Sequence, residues 1–456
     1  MTSMANPFDT TIPAEVFADT QAASWRPAPA VERASLPVLD ERIPLAPIAR
    51  ALASAPDRLV FFFSGFDPKG ASFYHRLFRN GIAQRNATHA DSLTVGQRHR
   101  IGSWASAWTV LWRNGSEVRA DGARATRTRL HFMRWDDIVR AEWKRHPLQL
   151  ARDYWNVYAR GLCSGAFARI RRKSRPAWLL ALFPLGVALA SLLAGIVVVG
   201  GALAGLHALP RWEAFAAGMA AGLVAWRLVA RWIDCEWLLR LYAFTRLQAL
   251  GALPALEARL DDMADRLVEV VEVRLRQPGA LPLREVLVVG YSTGSTMAAA
   301  VLARALTRLE VLFSGRGVER GTTLGLLTLG HCIPVAADWG GAHRTREELR
   351  QLADCAALTW HDYSAPADWA AFSRTPPWPQ PARLRGHQAS PRFHAQLGAL
   401  EYAALRRDRR EMHLQYLRPP MRQAEAEAYD YFLLTAGPMT LAERHAALGT
   451  RKRTPA

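Results

Sequence analysis

The stretch "VLVVGYSTGSTMAAAVLARAL", from Val286 to Leu306, contains the features that decide the fold. Its first residues are apolar and β-branched, as in a buried strand, and its last residues are alanine-rich, as in a helix. Ser292 lies at the junction, between Gly290 and Gly294. A serine on a sharp strand-to-helix turn exposes its hydroxyl and needs small neighbours. The alternative is an ordinary turn in which Gly, Ser and Thr begin the helix.

Strand and helix patterns alternate on both sides of this stretch. Before it, strands are predicted at Leu59–Phe63, Ser92–Val95, Trp104–Trp112 and Thr128–Met133, with a helix from Ala71 to Arg85. After it, "TLGLLTLG" and "ALTWHDYSA" are predicted strands on either side of the charged helix "HRTREELRQLADCA". Apolar strands separated by helices indicate an α/β fold, in which helices cover both faces of a mostly parallel sheet.

A long uncharged segment interrupts this pattern. From Pro176 to Pro210 there is no Asp, Glu, Lys or Arg, and about 20 apolar residues are enough to cross a bilayer. A second apolar segment runs from Trp212 to Cys235, and we expect the two to form a two-helix transmembrane hairpin. Gly201 with Gly205, and Gly218 with Gly222, have the spacing that lets membrane helices approach closely, although such pairs also arise by chance in glycine-rich spans.

Basic residues flank the hairpin on both outer sides. Positive flanks mark the cytoplasmic side of a membrane, so both chain ends and the rest of the chain outside the hairpin are expected to be cytoplasmic, at a bacterial inner membrane. The flanking residues are Arg169, Arg171, Arg172, Lys173 and Arg175 before the first span, and Arg227, Arg231, Arg240 and Arg246 at the end of the second.

Composition limits the partners and cofactors that we expect. The formal charge of +18 favours anionic partners, but no zinc-finger spacing, phosphate loop or RNA-binding signature accompanies it, so no nucleic acid is expected. The cysteines at 163, 235, 332 and 355 are scattered, which predicts neither disulfides nor a metal site. No cofactor is expected. The N-terminal sequence "MTSMANPFDTTIPAEVF" does not have the pattern of a secretory signal.

The predicted organisation has five parts. They are an N-terminal Pro-rich arm at 1–55, the first half of the α/β domain at 56–175, the hairpin at 176–235, the second half at 236–437 and a basic C-terminal tail at 438–456.

The turn at Gly290–Gly294 matches G-x-S-x-G in a strand–turn–helix context, and the chain here resembles the α/β-hydrolase superfamily. Its later segments are similar to class 3 lipases: "TLGHCIP" follows the next strand, and the proline-containing loop in "DYSAPADWAAFSRTPPW" follows the one after. The resemblance covers Arg58–Gly65 and Leu281–Tyr416, and such lipases lack the hairpin between them. "FFFSGFDPKG" and "YDYFLLTAGP" also resemble a bacterial group of membrane-anchored, hydrolase-like proteins.

The resemblance implies a catalytic triad. Ser292 would be the nucleophile, Asp368 the acid after Pro366, and His413, in an H-x-x-Y pattern, the base. Asp362 and Asp338 remain alternatives for the acid. His394 is the main alternative for the base, and His387 and His445 also follow Asp368 in the chain. The oxyanion donors would be the amides of Thr293 and of Phe66, in "SGFDP".

These features predict a membrane-anchored serine hydrolase that cleaves a carboxylic ester, such as a lipid, through an acyl-enzyme. The alternatives are a catalytically inactive hydrolase fold that serves as a membrane scaffold, and an acyltransferase. A transporter is a poor fit, because a single hairpin without charges deep in its first span offers no pathway.

Overall fold

The computed structural model describes residues 56–114, 125–143, 146–206, 209–277, 281–314, 321–422 and 429–451. The predicted N-terminal arm at 1–55 lies outside the described residues. The chain divides into two compact units. The described residues of one lie within 182–238, and those of the other lie within 56–181 and 239–451, with the gaps given above.

The larger unit contains a nine-stranded, mostly parallel sheet. The strands are β1 (Asp57–Phe63), β2 (Ser92–Val95), β3 (His99–Ile101), β4 (Ala105–Arg113), β5 (Ala125–Met133), β6 (Leu283–Tyr291), β7 (Thr323–Leu329), β8 (Leu358–Tyr363) and β9 (Arg385–Ala389). Their order is β2-β4-β5-β1-β6-β7-β8-β9, with β3 also paired to β4. The pairs from β5 to β9 are parallel, whereas β4 is antiparallel to β2, β3 and β5. The predicted α/β class is confirmed.

The helices are α1 (Ala71–Asn86), α2 (Asp136–Trp143), α3 (Pro147–Tyr154), α4 (Arg160–Cys163), α5 (Ala166–Lys173), α6 (Arg175–Gly195), α7 (Gly201–Gly205), α8 (Arg211–Trp232), α9 (Glu236–Ala249), α10 (Pro254–Leu275), α11 (Gly294–Ser314), α12 (Ile333–Ala337), α13 (His343–Asp354), α14 (Phe393–Gln396), α15 (Ala399–Arg407), α16 (Arg409–Leu414), α17 (Tyr431–Ala436) and α18 (Leu441–Arg451). Two π-helical turns, Trp155–Ala159 and Ile196–Gly200, continue α3 and α6, and a 3₁₀ turn, Gln415–Leu417, follows α16.

Hydrophobic cores cover both faces of the sheet. Side chains alternate between the faces of a strand, so Phe61 and Val288 pack with α10 and α11 on one side. Phe62 and Val289 pack with α1 and α17 on the other. Because β1 and β6 are buried on both faces, their central parts, Leu59–Phe63 and Val286–Val289, are continuously apolar rather than alternating.

The C-terminal helices are bonded to the central strands β1 and β6. Arg58 and Glu285, on adjacent strands, form a fully buried ion pair. Arg58 donates to the carbonyl oxygens of Leu434 and Gly437, at 3.0 and 2.9 Å, and Glu285 accepts from the amide of Leu441 at 2.6 Å. Part of the segment that we expected to be a tail is therefore α18, which is tied to the central strands through Leu441.

In the smaller unit, two helices contact each other through glycine. The continuous helix Arg175–Gly205, part of which lies in this unit, and helix Arg211–Trp232 are long and apolar enough to cross a membrane. A Cβ at Gly195 would lie 2.3 Å from the nitrogen of Gly222, and one at Gly218 would lie 2.9 Å from the Cα of Ile196.

The expected role of Gly201 and Gly205 was wrong. Nothing lies within 4 Å of a Cβ built on either residue, and Gly195 and Gly200 make the close contacts instead. A helix turns about 100° per residue, so the residue after Gly200 points away from the contact face. The second predicted pair, Gly218 and Gly222, does lie at the contact.

Candidate active site

Ser292 lies on a strained turn at the end of β6. Its φ is +59°, in the left-handed region that residues other than glycine rarely occupy. A Cβ at Gly290 would lie 2.4 Å from the Cα of Ser295, and one at Gly294 would lie 2.3 Å from the carbonyl oxygen of Ser64. Only glycine fits at these two positions, so the sequence pattern has a steric cause.

In the ordinary-turn alternative, Gly, Ser and Thr only begin α11, and a hydrogen bond from a helix amide to the Ser292 hydroxyl would favour that alternative. Among the described residues, no helix amide donates to that hydroxyl. Ser292 Oγ instead lies 3.8 Å from the sulfur of Cys332, and the residue is 8 % exposed. The hydroxyl is therefore not used to begin the helix.

His413 and Asp368 form a hydrogen-bonded pair. Their Nδ1 and Oδ2 atoms are 2.7 Å apart, and the two side chains are 18 % and 1 % exposed. The other oxygen of Asp368 accepts from the amide of Ala370 at 3.0 Å. An imidazole held by a buried carboxylate through Nδ1 has Nε2 free to exchange a proton. Within the described part of the chain, however, Ser292 and His413 share no hydrogen bond.

Two tyrosines position this pair beside the turn. Tyr291 precedes the serine, its ring lies 5.1 Å from that of His413, and its hydroxyl donates to the carbonyl oxygen of His413 at 3.0 Å. Burial raises the pKa of Tyr291 well above its usual value, so it stays a donor. Tyr416 is fully buried, and its hydroxyl accepts from the amide of Ala365 at 2.7 Å, in the loop that carries Asp368.

The predicted oxyanion donors lie next to each other, but one of them is engaged. The amide of Phe66 donates to the hydroxyl of Thr293 at 2.7 Å. The amide of Thr293 donates to no other described residue. A Cβ at Gly65 would lie 3.3 Å from Ser292 Oγ, so the loop after β1 passes beside the serine, as the prediction requires.

The alternative acids have other partners. Asp362 is fully buried on β8, accepts from the Thr328 hydroxyl at 2.8 Å and from the Gln388 side chain at 3.1 Å, and does not contact His413. Burial raises the pKa of Asp362. Asp338 pairs with Lys173 at 2.7 Å.

The alternative bases lie elsewhere. His394 is exposed, with its ring 6.0 Å from that of Tyr402. His387 and His445 instead flank His361: the His387 ring lies 4.9 Å from the His361 ring, and a nitrogen of His445 lies 3.3 Å from His361 Nε2. Within the described ranges, no group of three His, Cys, Asp or Glu side chains is arranged to hold a metal ion.

Cys332 is a neighbour of Ser292 that was not among the predicted site residues. Burial raises the pKa of this thiol to about 12, so it is protonated near neutral pH and does not compete as a nucleophile. The position of Cys332 beside Ser292 could have been predicted, because Cys332 follows β7 and neighbouring parallel strands end at the same sheet edge.

The site thus combines a strained serine, a histidine–carboxylate pair and a free amide at one edge of the sheet. No protein-family model matches this chain, and neither does any curated protein or solved structure.

Proposed function

We propose that this chain is a membrane-anchored serine hydrolase that cleaves a carboxylic ester through an acyl-enzyme. The observation that carries the proposal is the serine at positive φ between two sterically required glycines, beside the hydrogen-bonded pair of His413 and the buried Asp368. An α/β-hydrolase needs such a turn for its nucleophile and such a pair for its acid and base, which supports the proposal.

In the proposed reaction, Ser292 Oγ attacks the carbonyl carbon while His413 Nε2 takes its proton. Asp368 stabilises the imidazolium. The oxyanion accepts from the amides of Thr293 and Phe66, the latter exchanging its bond to the Thr293 hydroxyl for the substrate oxygen. The tetrahedral intermediate then expels the alcohol, which takes the proton from His413.

The acyl-enzyme is released by the reverse sequence of proton transfers. His413 removes a proton from water, the hydroxide attacks the acyl carbon, and Ser292 regains its proton as the carboxylic acid leaves. If an alcohol replaces water in this step, the same residues transfer the acyl group instead, which is the acyltransferase alternative.

We also propose that the two long apolar helices form a membrane hairpin, with the larger unit on the cytoplasmic side. At about 1.5 Å per residue, the 31-residue and 22-residue helices measure about 46 and 33 Å, against about 30 Å for the hydrocarbon layer. The arginines at and beyond the outer ends of the two helices support this orientation.

An exposed apolar stripe on the helical segment before the hairpin supports membrane association. Leu148, Trp155 and Leu162 are 76, 67 and 66 % exposed and follow each other at seven-residue intervals, about two helical turns. Arg152 and Arg160 on the same segment are also exposed. Apolar and aromatic side chains beside arginines are typical of helices that lie at the lipid headgroups.

Labelling with a fluorophosphonate probe tests the hydrolase proposal. We expect the probe to modify wild-type protein at Ser292 and to leave Ser292→Ala unlabelled. Ser72→Ala, at an exposed serine on α1, is the matched control and should label as wild type does. If wild type and Ser292→Ala are equally unreactive while both fold, the hydrolase proposal fails.

A scaffold without catalytic activity is the second candidate. Two observations favour it: the Ser292 hydroxyl faces Cys332 rather than His413, and the Phe66 amide is engaged by Thr293. The tightly held Asp368–His413 pair favours the enzyme, because a scaffold has no need for it.

A further inference from the structure

A cavity of about 550 Å³ opens beside the Asp368–His413 pair. Its wall includes Ala367 and Trp369, which flank Asp368 in the chain, and Met412, which precedes His413. Sites for small molecules usually measure about 300–1,000 Å³. The cavity is therefore large enough for a ligand, and chain neighbours of both members of the pair lie in its wall.

The charged groups of the cavity wall are all basic. Arg406 and Arg409 line it together with His394, and no Asp or Glu from the described part of the chain does. Among the described residues, neither arginine forms an ion pair. The Arg409 guanidinium instead lies over the ring of Trp369, 3.4 Å from its centroid. Planar guanidinium groups donate two parallel hydrogen bonds to phosphate or carboxylate oxygens.

The remainder of the wall is mainly apolar. Phe393 and Met412 are buried, and the rings of Trp369 and Tyr402 are partly exposed. Such a surface binds hydrocarbon by excluding water. A ligand that satisfies both parts carries an anionic group attached to an apolar chain.

We propose that this cavity binds the anionic group of the substrate, which is an ester that carries a phosphate or carboxylate next to an apolar chain. Binding by Arg406 and Arg409 follows from the cavity alone, and only the identification of the ligand as substrate rests on the proposed hydrolase function.

Calorimetric titration of the full chain carrying Ser292→Ala, in an uncharged detergent, tests the proposal without turnover. The probes are hexyl phosphate, hexanoate, inorganic phosphate and hexanol. We expect hexyl phosphate or hexanoate to bind at least about tenfold more tightly than inorganic phosphate or hexanol, because only they supply both parts of the ligand. Arg406→Gln with Arg409→Gln should weaken that binding at least about tenfold.

Arg407→Gln, at an exposed arginine of α15 outside the cavity wall, is the matched control and should bind as its parent does. Equal binding by the double variant would overturn the proposal, as would inorganic phosphate binding as tightly as the amphiphiles, or no binding at all. Binding that depends on both arginines, in a protein whose Ser292 reacts with no probe, would keep the anion site and reject the hydrolase.

Discussion

At the scale of single residues, backbone strain marks the candidate nucleophile, because Ser292 has a φ of +59°. A left-handed backbone costs about 1–2 kcal/mol at a residue such as Ser292. The turn keeps this conformation because neighbouring backbone atoms lie too close to Gly290 and Gly294 for any side chain. This conformation holds the hydroxyl away from α11. A nucleophile requires this position, because its hydroxyl must not be bonded to the helix.

A second buried residue, His131 on β5, gives stability a dependence on pH. Its ring lies between Phe61 and Trp104, with centroids 5.1 and 6.2 Å away, and neither ring nitrogen has a partner among the described residues. Burial lowers the pKa of His131 from 6.5 to about 3. The unfolded chain therefore binds more protons between these values, and stability falls as the pH drops below about 6.5.

We expect His131→Phe to remove this dependence. Lowering the pH from 7.5 to 5 should reduce the free energy of unfolding of wild type by about 2 kcal/mol through His131. The variant should not lose this amount. Urea titrations of both proteins at both pH values measure the free energy of unfolding. His99→Gln, at an exposed histidine on β3, should behave as wild type does. An identical pH dependence in His131→Phe and wild type would contradict the account.

At the scale of elements, buried ion pairs and hydrogen bonds hold the C-terminal helices in place. Besides the Arg58–Glu285 pair, the buried Arg85 on α1 contacts Asp430 at 2.6 Å. Asp430 accepts from the amides of Phe432 and Leu433 and so caps α17. Local capping and a long-range ion pair thus hold the same segment.

A truncation after Pro438 should therefore destabilise the protein by about 3 kcal/mol or more. It removes the buried Leu441 and its amide bond to Glu285, and the loss of a buried leucine alone costs about that much. Denaturant titration measures the loss. A truncation after Arg451, which removes none of these contacts, is the control, and equal stability of the two truncated proteins would refute this role of α18.

The elements that could be predicted from the sequence are those with a strong local pattern. β1, α1 and the β6–α11 junction have continuous or periodic apolar residues, and each lies close to its expected position. β9, "RGHQA", is a partly exposed edge strand without such a pattern. The antiparallel direction of β4 and the contact face of the hairpin depend on long-range packing, which local periodicity does not contain.

The site was predictable to a similar extent. Ser292 is part of a local motif with a steric cause, so its turn could be predicted. The pairing of Asp368 with His413 joins residues 45 positions apart, and the sequence alone left Asp362 and His394 as alternatives. The contact of Ser292 with Cys332 and the hydrogen bond from the Phe66 amide to Thr293 form only where the ends of three strands meet.

At the scale of the whole molecule, the proposed topology rests on the two apolar helices and the arginines that flank them. A cysteine introduced at Leu206, between the helices and exposed, should react with an impermeant maleimide added from outside intact cells, on a background without native cysteines. A cysteine at the exposed Ser72 should react only after the membrane is opened. Labelling of the Leu206 position from the cytoplasm alone would reverse the proposed orientation.

The central claim is that His413, held by Asp368, activates Ser292. The most direct measurement compares kcat on a neutral short-chain aryl ester for Ser292→Ala, His413→Ala and the control His99→Ala, with folding checked by thermal melts. We expect the first two to lose as much as ~10⁶-fold in kcat, because the residues act as a unit, and His99→Ala to match wild type. Full activity of His413→Ala, above all if His394→Ala is inactive, would contradict the assignment.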